Sequence, residues 1–384
     1  MRSIFESISL VIVTRPRLVL GVLVLLLVAS IIGMTMLKMQ TGNDTYLDKT
    51  TPKGIIFSHY EDTFSQDTLV VLVESNDPLS PDVIAYLDKI TPGLENLQYV
   101  SSVSSIVDLV KQVNNGVIPR SSGEIKQLKE KIPSEILNRY IPSNLLSMMM
   151  IKLDVGMTDQ KQKSVMTNVR SFLDSSHPPP GVTVTLTGNP VFQQEMGQEL
   201  SKSMGTLIMG AMILMVIVMG ILFAYVSWRF IPVIIVAVGL ILTFGIMGIF
   251  GVNINTAVIA AFPVLIGLGI DYAIQFHARL EEEARKGSLS DAVRITITRT
   301  GPAVLFAMLA TTMGFIAMFI SPVPMIRSFG LVAIIGVSVC YVTSLIGIPL
   351  IAVLIKYKPK GKQGEEKPTK ADIFLSKTAV TIAK

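Results

Sequence analysis

The sequence predicts a helical membrane protein with six spans and one α+β domain outside the membrane, and three observations support this class. Half of the 384 residues are hydrophobic and only 16% are charged. The mean hydropathy of +0.57 is well above that of an ordinary soluble domain. A polar stretch, residues 38–203, separates the first long apolar run from five others.

Each predicted span is a predominantly apolar run of about 20 residues, the length that a helix needs to cross the hydrocarbon layer. The six runs are Leu18–Leu37, Met204–Trp228, Phe230–Phe250, Thr256–Phe276, Pro302–Met325 and Ser328–Ile355. The first run is longer than the roughly 7–15 apolar residues of a secretory signal core. We therefore interpret it as an uncleaved anchor.

The segment before the first run has an apolar face. Ile4, Ile8, Val11 and Ile12 fall on one side of a short helix, which predicts a segment lying along the membrane surface. A simple cytoplasmic stub is the alternative interpretation of this segment.

The basic residues predict the orientation, because they resist translocation and gather on the cytoplasmic side. The connections assigned to one side carry Arg2, Arg15, Arg17, Arg229, Arg279, Arg285, Lys286, Arg294, Arg299, Lys356, Lys358, Lys360 and Lys362. The opposite short connections carry only Arg327. Both termini are therefore predicted to be cytoplasmic. The net charge of +5 follows this topology, whereas a nucleic-acid partner would require the cations on one soluble face.

Four regions follow from these runs: an amphipathic N-terminus with the first span (1–37), an extracytoplasmic domain (38–203), a five-span bundle (204–355) and a cytoplasmic tail (356–384). Within the extracytoplasmic domain, apolar alternation and capping signals predict a ferredoxin-like α+β fold made of two β-α-β units. The predicted strands are Thr68–Glu74, Val100–Val107, Leu145–Val155 and Val182–Thr187. The predicted helices are Ser80–Leu97, Ser121–Tyr140 and Thr158–Asp174.

Several function classes lack their residues in this sequence. The single cysteine, Cys340, excludes a disulfide framework. His59, His177 and His277 lack the close spacing of metal ligands and are interpreted as surface or interfacial residues. The sequence contains no phosphate-binding G-x-x-x-x-G-K-[ST] motif, no paired carboxylates and no convincing serine–histidine set. It therefore predicts no enzyme, no metal site and no cofactor.

One acidic residue, Asp271, lies inside an apolar run. An ionised carboxylate at membrane depth costs several kcal/mol, so such residues face a protein interior or a water-filled path. Because a carboxyl group is neutral when protonated, Asp271 is suited to taking up and releasing protons. Hydrogen bonding between helices is the structural alternative for this residue.

The neighbours of Asp271 fit a proton relay. Tyr272 offers a hydroxyl that can hydrogen-bond a carboxylate on a facing helix. Small residues around this pair allow another helix or water to approach, and these are Gly267, Gly269 and Ala273. Candidate relay helpers in the later runs are Thr311, Thr312 and Tyr341, for which hydrogen bonds in helix packing are the alternative role.

The segment Gly267-Leu268-Gly269-Ile270-Asp271-Tyr272, with Phe276 following, resembles the fourth-span G-x-x-x-D-Y motif of one branch of the resistance-nodulation-division (RND) superfamily. This branch contains the MmpL and hopanoid transporters and is also called hydrophobe/amphiphile efflux family 3. The break Thr187-Gly188-Asn189-Pro190 before the second span also resembles that branch. The order of one span, an outside domain and five spans resembles a single repeat of the superfamily. The resemblance covers residues 1–355.

This resemblance implies a secondary active transporter of a prokaryotic cell membrane, driven by the proton gradient. It implies that Asp271 and Tyr272 relay protons together with their counterparts in a second repeat, and that the outside domain carries lipids or other hydrophobic molecules.

Members of this branch usually contain two repeats, and this chain contains one. The stretch Ile373–Lys384 resembles Ile4–Arg15, so a second repeat is predicted to begin there, with residues 357–371 as the linker. Chance similarity between two amphipathic segments is the alternative. The partner of this repeat is accordingly either a second repeat in the same chain or a second copy in a homodimer.

Two other functions remain open. A SecDF-like component of protein export also has an acid in its fourth span, but its usual Asp-Ala-Asn differs from Asp271-Tyr272-Ala273. A non-transporting lipid or sterol sensor, like the sterol-sensing domains of Patched relatives, keeps the fold without needing proton flux. A response that survives the substitution Asp271→Asn would favour the sensor.

Overall fold

The computed structural model describes residues 2–40, 45–48, 50–64, 67–119, 121–157, 159–223 and 226–359. The chain divides into two compact units, one made of residues 1–40 and 200–384 and the other of residues 41–199. The predicted start of a second repeat, Ile373–Lys384, lies outside the described residues.

The described chain is mostly helical. In chain order its helices are α1 (Arg2–Thr14), α2 (Pro16–Met34), α3 (Pro52–Phe64), α4 (Pro81–Glu95), α5 (Ile106–Val113), α6 (Ser122–Lys131), α7 (Ser134–Tyr140), α8 (Asp159–Asp174), α9 (Asn189–Leu222), α10 (Ile231–Ile249), α11 (Thr256–Ala284), α12 (Leu289–Ile295), α13 (Gly301–Ile316) and α14 (Pro324–Leu354). A π-helical segment, Thr296–Thr300, joins α12 to α13, and a 3₁₀ segment, Ala317–Ile320, follows α13.

Six helical stretches are long and apolar enough to cross a membrane, which confirms the six-span helical class. Their bounds differ from the hydropathic ones where a helix continues through polar residues. The fourth span was predicted to end at Phe276, but α11 continues to Ala284. The fifth was predicted to begin at Pro302, but its helical stretch begins at Leu289. Hydropathy marks the apolar part of a helix, whereas backbone hydrogen bonds decide its full length.

The first unit, residues 1–40 and 200–384, is called the membrane unit below, and it packs around α10, α11 and α14. These spans are 67%, 50% and 61% buried, against 11% for α2, α9 and the stretch Leu289–Ile320. Small residues let the backbones approach, as is usual between membrane helices. Where α2 crosses α10, a Cβ atom on Gly248 would overlap the backbone of Gly33, and one on Gly245 would overlap Ser30.

The second unit contains a four-stranded antiparallel sheet in the order β2-β3-β1-β4. The strands are β1 (Thr68–Glu74), β2 (Val100–Ser104), β3 (Leu146–Leu153) and β4 (Thr183–Gly188). Alternate side chains of β1 and β3 are buried, among them Val71 and Met149, which stand opposite each other. They share one apolar core with α4 and α8. This strand order, with the intervening helices, confirms the ferredoxin-like prediction.

Local sequence signals explain where the second unit departs from the predicted elements. The second strand was predicted to reach Val107, but β2 ends at Ser104 because Ser105 and Asp108 form a capping box that starts α5. The single helical region predicted over Ser121–Tyr140 is two helices, since Pro133 precedes α7. Helix α3 was not predicted at all.

We expect the substitution Gly248→Leu to destabilise the membrane unit, because the new side chain has no space against Gly33. Overpacking of this kind costs about 1–3 kcal/mol. The measurement is the thermal unfolding midpoint in detergent. The matched control is Gly314→Leu, since Gly314 of α13 has no described atom within 4 Å of an added Cβ. Equal midpoints for the two variants would contradict this packing.

Candidate functional site

The predicted relay residues lie on α11. Asn255 caps the first turn of this helix by accepting a hydrogen bond from the Val258 amide at 3.0 Å. The helix packs closely against α14 through small residues on both sides of the contact. A Cβ atom on Gly269 would lie 3.0 Å from Sγ of Cys340, and Gly336 of α14 makes room for the side chain of Leu265. These contacts fix the rotation of α11.

As a result, one face of α11 is buried and another is open. Tyr272, Ala273 and Phe276 are 3% exposed or less. Exposed residues recur at helical spacing along the other face, and these are Val264, Gly267, Asp271 and Gln275. Consequently, the carboxylate of Asp271 points away from the part of the bundle that the structure describes, and it forms no hydrogen bond or ion pair with a described residue.

The predicted small residues therefore divide into two groups. Gly269 and Ala273 lie in the contact between α11 and the rest of the bundle. Gly267, one turn before Asp271, has no described atom within 4 Å of an added Cβ. Gly267 thus leaves a flat surface beside the carboxylate on the open face.

Tyr272 carries the second polar group of the predicted relay, on the buried side of α11. Its hydroxyl is buried beside Thr311 of α13 but has no hydrogen-bond partner of good geometry among the described residues. The Thr311 hydroxyl donates instead to the carbonyl of Ala307 at 3.0 Å. A small rotation of either side chain would join the two hydroxyls, so Tyr272 and Thr311 are placed to exchange partners.

The other two predicted helpers are occupied within the bundle. Thr312 donates to the carbonyl of Met308 at 2.8 Å. The hydroxyl of Tyr341 donates to the carbonyl of Gly301 at 3.0 Å. Tyr341 thereby satisfies a backbone group at the junction between the π-helical segment and α13.

A buried polar cluster near the end of α11 was not predicted. His277 is only 2% exposed, so the surface alternative in its prediction was wrong. Its Nε2 donates to the carbonyl of Ser227 at 2.9 Å. The hydroxyl of Tyr357 shares its one hydrogen between the same carbonyl, at 3.1 Å, and the buried carboxylate of Glu281. Arg285 pairs with Glu281 at 3.1 Å.

This polar cluster links three segments: the connection between α9 and α10, the end of α11 and the residues that follow α14. The backbone at Trp228 and Lys356 has φ of 52° and 51°, an uncommon conformation for residues other than glycine. Each of these residues adjoins a member of the cluster, Ser227 or Tyr357. The only hint in the sequence was the four-residue spacing from His277 to Glu281 to Arg285, which places all three along one side of a helix.

The sequence model of the MMPL family matches residues 60–373, a range that includes the second unit's sheet and all of α11. The chain belongs to the MMPL family. This match confirms the predicted membership of the MmpL and hopanoid-transporter branch of the RND superfamily, which is a family of transporters.

Three proteins are similar in sequence to this MMPL chain. The protein MJ1562 of Methanocaldococcus jannaschii is 28% identical over 368 residues, covering 92% of this chain and 94% of the relative. The protein translocase subunit SecF of Escherichia coli O157:H7 is 24% identical over 40% of this chain and 50% of SecF. The hopanoid transporter HpnN of Rhodopseudomonas palustris is 27% identical over 34% of this chain and 15% of HpnN.

A solved structure has the same fold. The hedgehog release protein Disp from the water bear Hypsibius dujardini superposes on this MMPL chain with a TM-score of 0.65. The superposition covers 94% of this chain and 50% of Disp, at 11% sequence identity. The chain therefore shares the fold of Disp over nearly its whole length and spans half of Disp.

We expect Tyr357→Phe to lower the free energy of unfolding by about 1–3 kcal/mol, because the Glu281 carboxylate and the Ser227 carbonyl lose the hydroxyl hydrogen that they share in a buried site. The thermal unfolding midpoint in detergent measures this loss. The control is Tyr46→Phe, since Tyr46 is 61% exposed. A midpoint for Tyr357→Phe equal to that of the control would show that the cluster contributes nothing.

The same variant has a pH signature. Burial, reinforced by the neighbouring Glu281 carboxylate, raises the pKa of Tyr357 above the usual value of about 10. A raised pKa in the folded state contributes stability that is complete below about pH 10 and is lost as the pH rises further. Stability of the native chain is therefore expected to fall more steeply above pH 10 than that of Tyr357→Phe.

Proposed function

We propose that this chain is a proton-driven transporter that moves lipids or other hydrophobic or amphiphilic molecules across or out of the cytoplasmic membrane. One observation carries the proposal: the carboxylate of Asp271 lies inside a membrane span, on an open face of α11. Membership of a transporter family and the partial similarity to HpnN, which is named a hopanoid transporter, support the cargo class. Both termini are proposed to be cytoplasmic, with the second unit on the other side.

The open face requires a partner. A charged carboxylate facing hydrocarbon costs several kcal/mol, so Asp271 needs a helix or a water-filled path in front of it. We propose that a second RND repeat covers this face, either as a second copy of the chain or in the same chain. The relative MJ1562 supports a second copy, because the similarity extends over 94% of that protein and it therefore holds one such repeat.

The proposed relay uses groups whose hydrogen bonds can change. Protonation makes Asp271 neutral, which removes the cost of closing a dry contact over Gly267 on the same face. The hydroxyl of Tyr272, which has no hydrogen-bond partner among the described residues, would bind Thr311 in one state and a carboxylate of the facing repeat in the other. Alternation between these two arrangements would couple the movement of one proton to a change in helix packing.

The similarity to SecF favours a second candidate, a component of protein export. The sequence Asp271-Tyr272-Ala273 differs from the Asp-Ala-Asn usual in that group. Transport of an unfolded polypeptide rather than a lipid by the reconstituted chain would favour this candidate.

We expect Asp271→Asn to abolish both proton uptake and lipid movement, with a loss of at least about tenfold, because an amide cannot exchange a proton at neutral pH. The measurement uses proteoliposomes that contain a pH-sensitive dye and a fluorescent lipid. The control is Glu130→Gln, an equivalent loss of charge on the exposed surface of α6 in the second unit. Unchanged lipid movement in a folded Asp271→Asn variant would overturn proton coupling and favour a lipid sensor.

We expect Gly267→Cys to form disulfide-linked dimers if a second copy covers the open face, because Gly267 lies beside Asp271 with free space around it. The variant is made in a Cys340→Ser background and oxidised in membranes. The control is Gly314→Cys on α13, another exposed glycine with free space around it. Equal cross-linking of both variants would indicate random collision instead of a dimer through α11.

A further inference from the structure

Helix α1 has two apolar faces, only one of which is covered by the protein. Phe5 and Ile12 are 5% and 1% exposed, because α1 packs against α12, the π-helical segment Thr296–Thr300 and α14. On the remaining surface, Ile4, Leu10 and Val11 are 61%, 64% and 42% exposed. An amphipathic helix that merely covered the bundle would have polar residues at these positions.

The docking of α1 is specific, so its uncovered face has a fixed direction. The ring of Phe5 lies over Gly301, where a Cβ atom would come within 2.7 Å of the ring. Ile12 is buried two turns further along the same face. Helix α1 ends at Thr14, and the membrane span α2 begins at Pro16. The uncovered apolar residues are thus held at the level where a membrane span begins.

Positive charge lies at the end of α1 and on elements that pack against it. Arg15 and Arg17 are exposed at the junction between α1 and α2, and Arg294 of α12 and Arg299 of the π-helical segment are exposed on the two elements that pack against α1. These four arginines form no ion pair with a described residue. The acidic side chains on the same elements are Glu6 and Asp291, and Asp291 accepts a hydrogen bond from Ser288 at 2.6 Å.

We infer that α1 and these four arginines form a docking surface for anionic phospholipids. Acyl chains would lie against Ile4, Leu10 and Val11, while the arginines would bind the phosphate groups. A guanidinium group binds phosphate through two parallel hydrogen bonds, and basic residues at the ends of membrane helices attract anionic head groups. This inference requires only the membrane-spanning fold and does not depend on transport or on proton coupling.

The test compares lipids that differ only in head-group charge. The full chain, purified in detergent, is titrated with phosphatidylglycerol or phosphatidylcholine, and bound lipid is counted by native mass spectrometry alongside the thermal unfolding midpoint. Phosphatidylglycerol is expected to bind more tightly and to raise the midpoint further. The difference should shrink with added salt, because salt screens exposed charges. Inorganic phosphate at the same concentration is expected to give no shift, since it lacks acyl chains.

Variants locate the surface. The double substitution Arg294→Gln with Arg299→Gln is expected to weaken phosphatidylglycerol binding by on the order of tenfold to thirtyfold, with phosphatidylcholine binding unchanged. The control removes two exposed charges from the second unit, through Arg139→Gln with Lys163→Gln. If the glutamine variant does not fold, Arg294→Lys with Arg299→Lys keeps the charge and should lose only the paired hydrogen bonds, which predicts a smaller decrease.

Two results would overturn the docking surface. Equal binding of the two lipids by the native chain would show that the arginines do not select anionic head groups. An equal loss of phosphatidylglycerol binding in the control would show that overall charge, rather than this surface, attracts the lipid. Conversely, loss of both lipids in Ile4→Ser with Val11→Ser is expected, because that variant removes the acyl-chain contacts.

Discussion

The membrane unit depends on one constraint, that a polar group in hydrocarbon needs a partner. Two of its buried threonines obey this constraint locally: Thr243 and Thr343 donate to carbonyl oxygens one turn earlier in their own helices. Tyr341 does so across helices, through the carbonyl of Gly301. The carboxylate of Asp271 has no hydrogen-bond or ion-pair partner within the described bundle, and it lies on the open face of α11. The proposed partner repeat and the proposed relay are two consequences of one unsatisfied carboxylate.

Small residues decide which faces can close. Gly33 against Gly248 joins α2 to α10, Gly269 against Cys340 joins α11 to α14, and Gly301 accepts Phe5 of α1. In each case a neighbouring helix fills the space that a side chain would otherwise occupy. Gly267 has the same chemistry and no described neighbour, and it lies beside Asp271 on the open face of α11. This contrast supports the proposal that the face carrying Asp271 closes against a second repeat.

Polar residues at the ends of the spans perform a different task. The cluster of Ser227, Glu281 and Tyr357 joins three segments that are far apart in the chain. Arg285 pairs with the Glu281 carboxylate, and His277 donates to the Ser227 carbonyl. The proposed lipid surface lies on α1, α12 and the π-helical segment, where arginines remain exposed. At these span ends the buried charges hold the helices together, whereas the exposed arginines remain available to the membrane.

The sequence by itself determined the six spans, the strand Thr68–Glu74 and the singular position of Asp271, because hydropathy, alternation and an isolated charge are local properties of the chain. Only the tertiary structure decided that Gly269 is packed while Gly267 is open. Both are glycines in the same apolar run, so the sequence does not distinguish them, and the rotation of α11 is set by its contacts with Cys340 and Gly336 of α14. It also decided that His277 is buried. Its partners, Ser227 and Tyr357, are distant in sequence and meet only when the helices assemble.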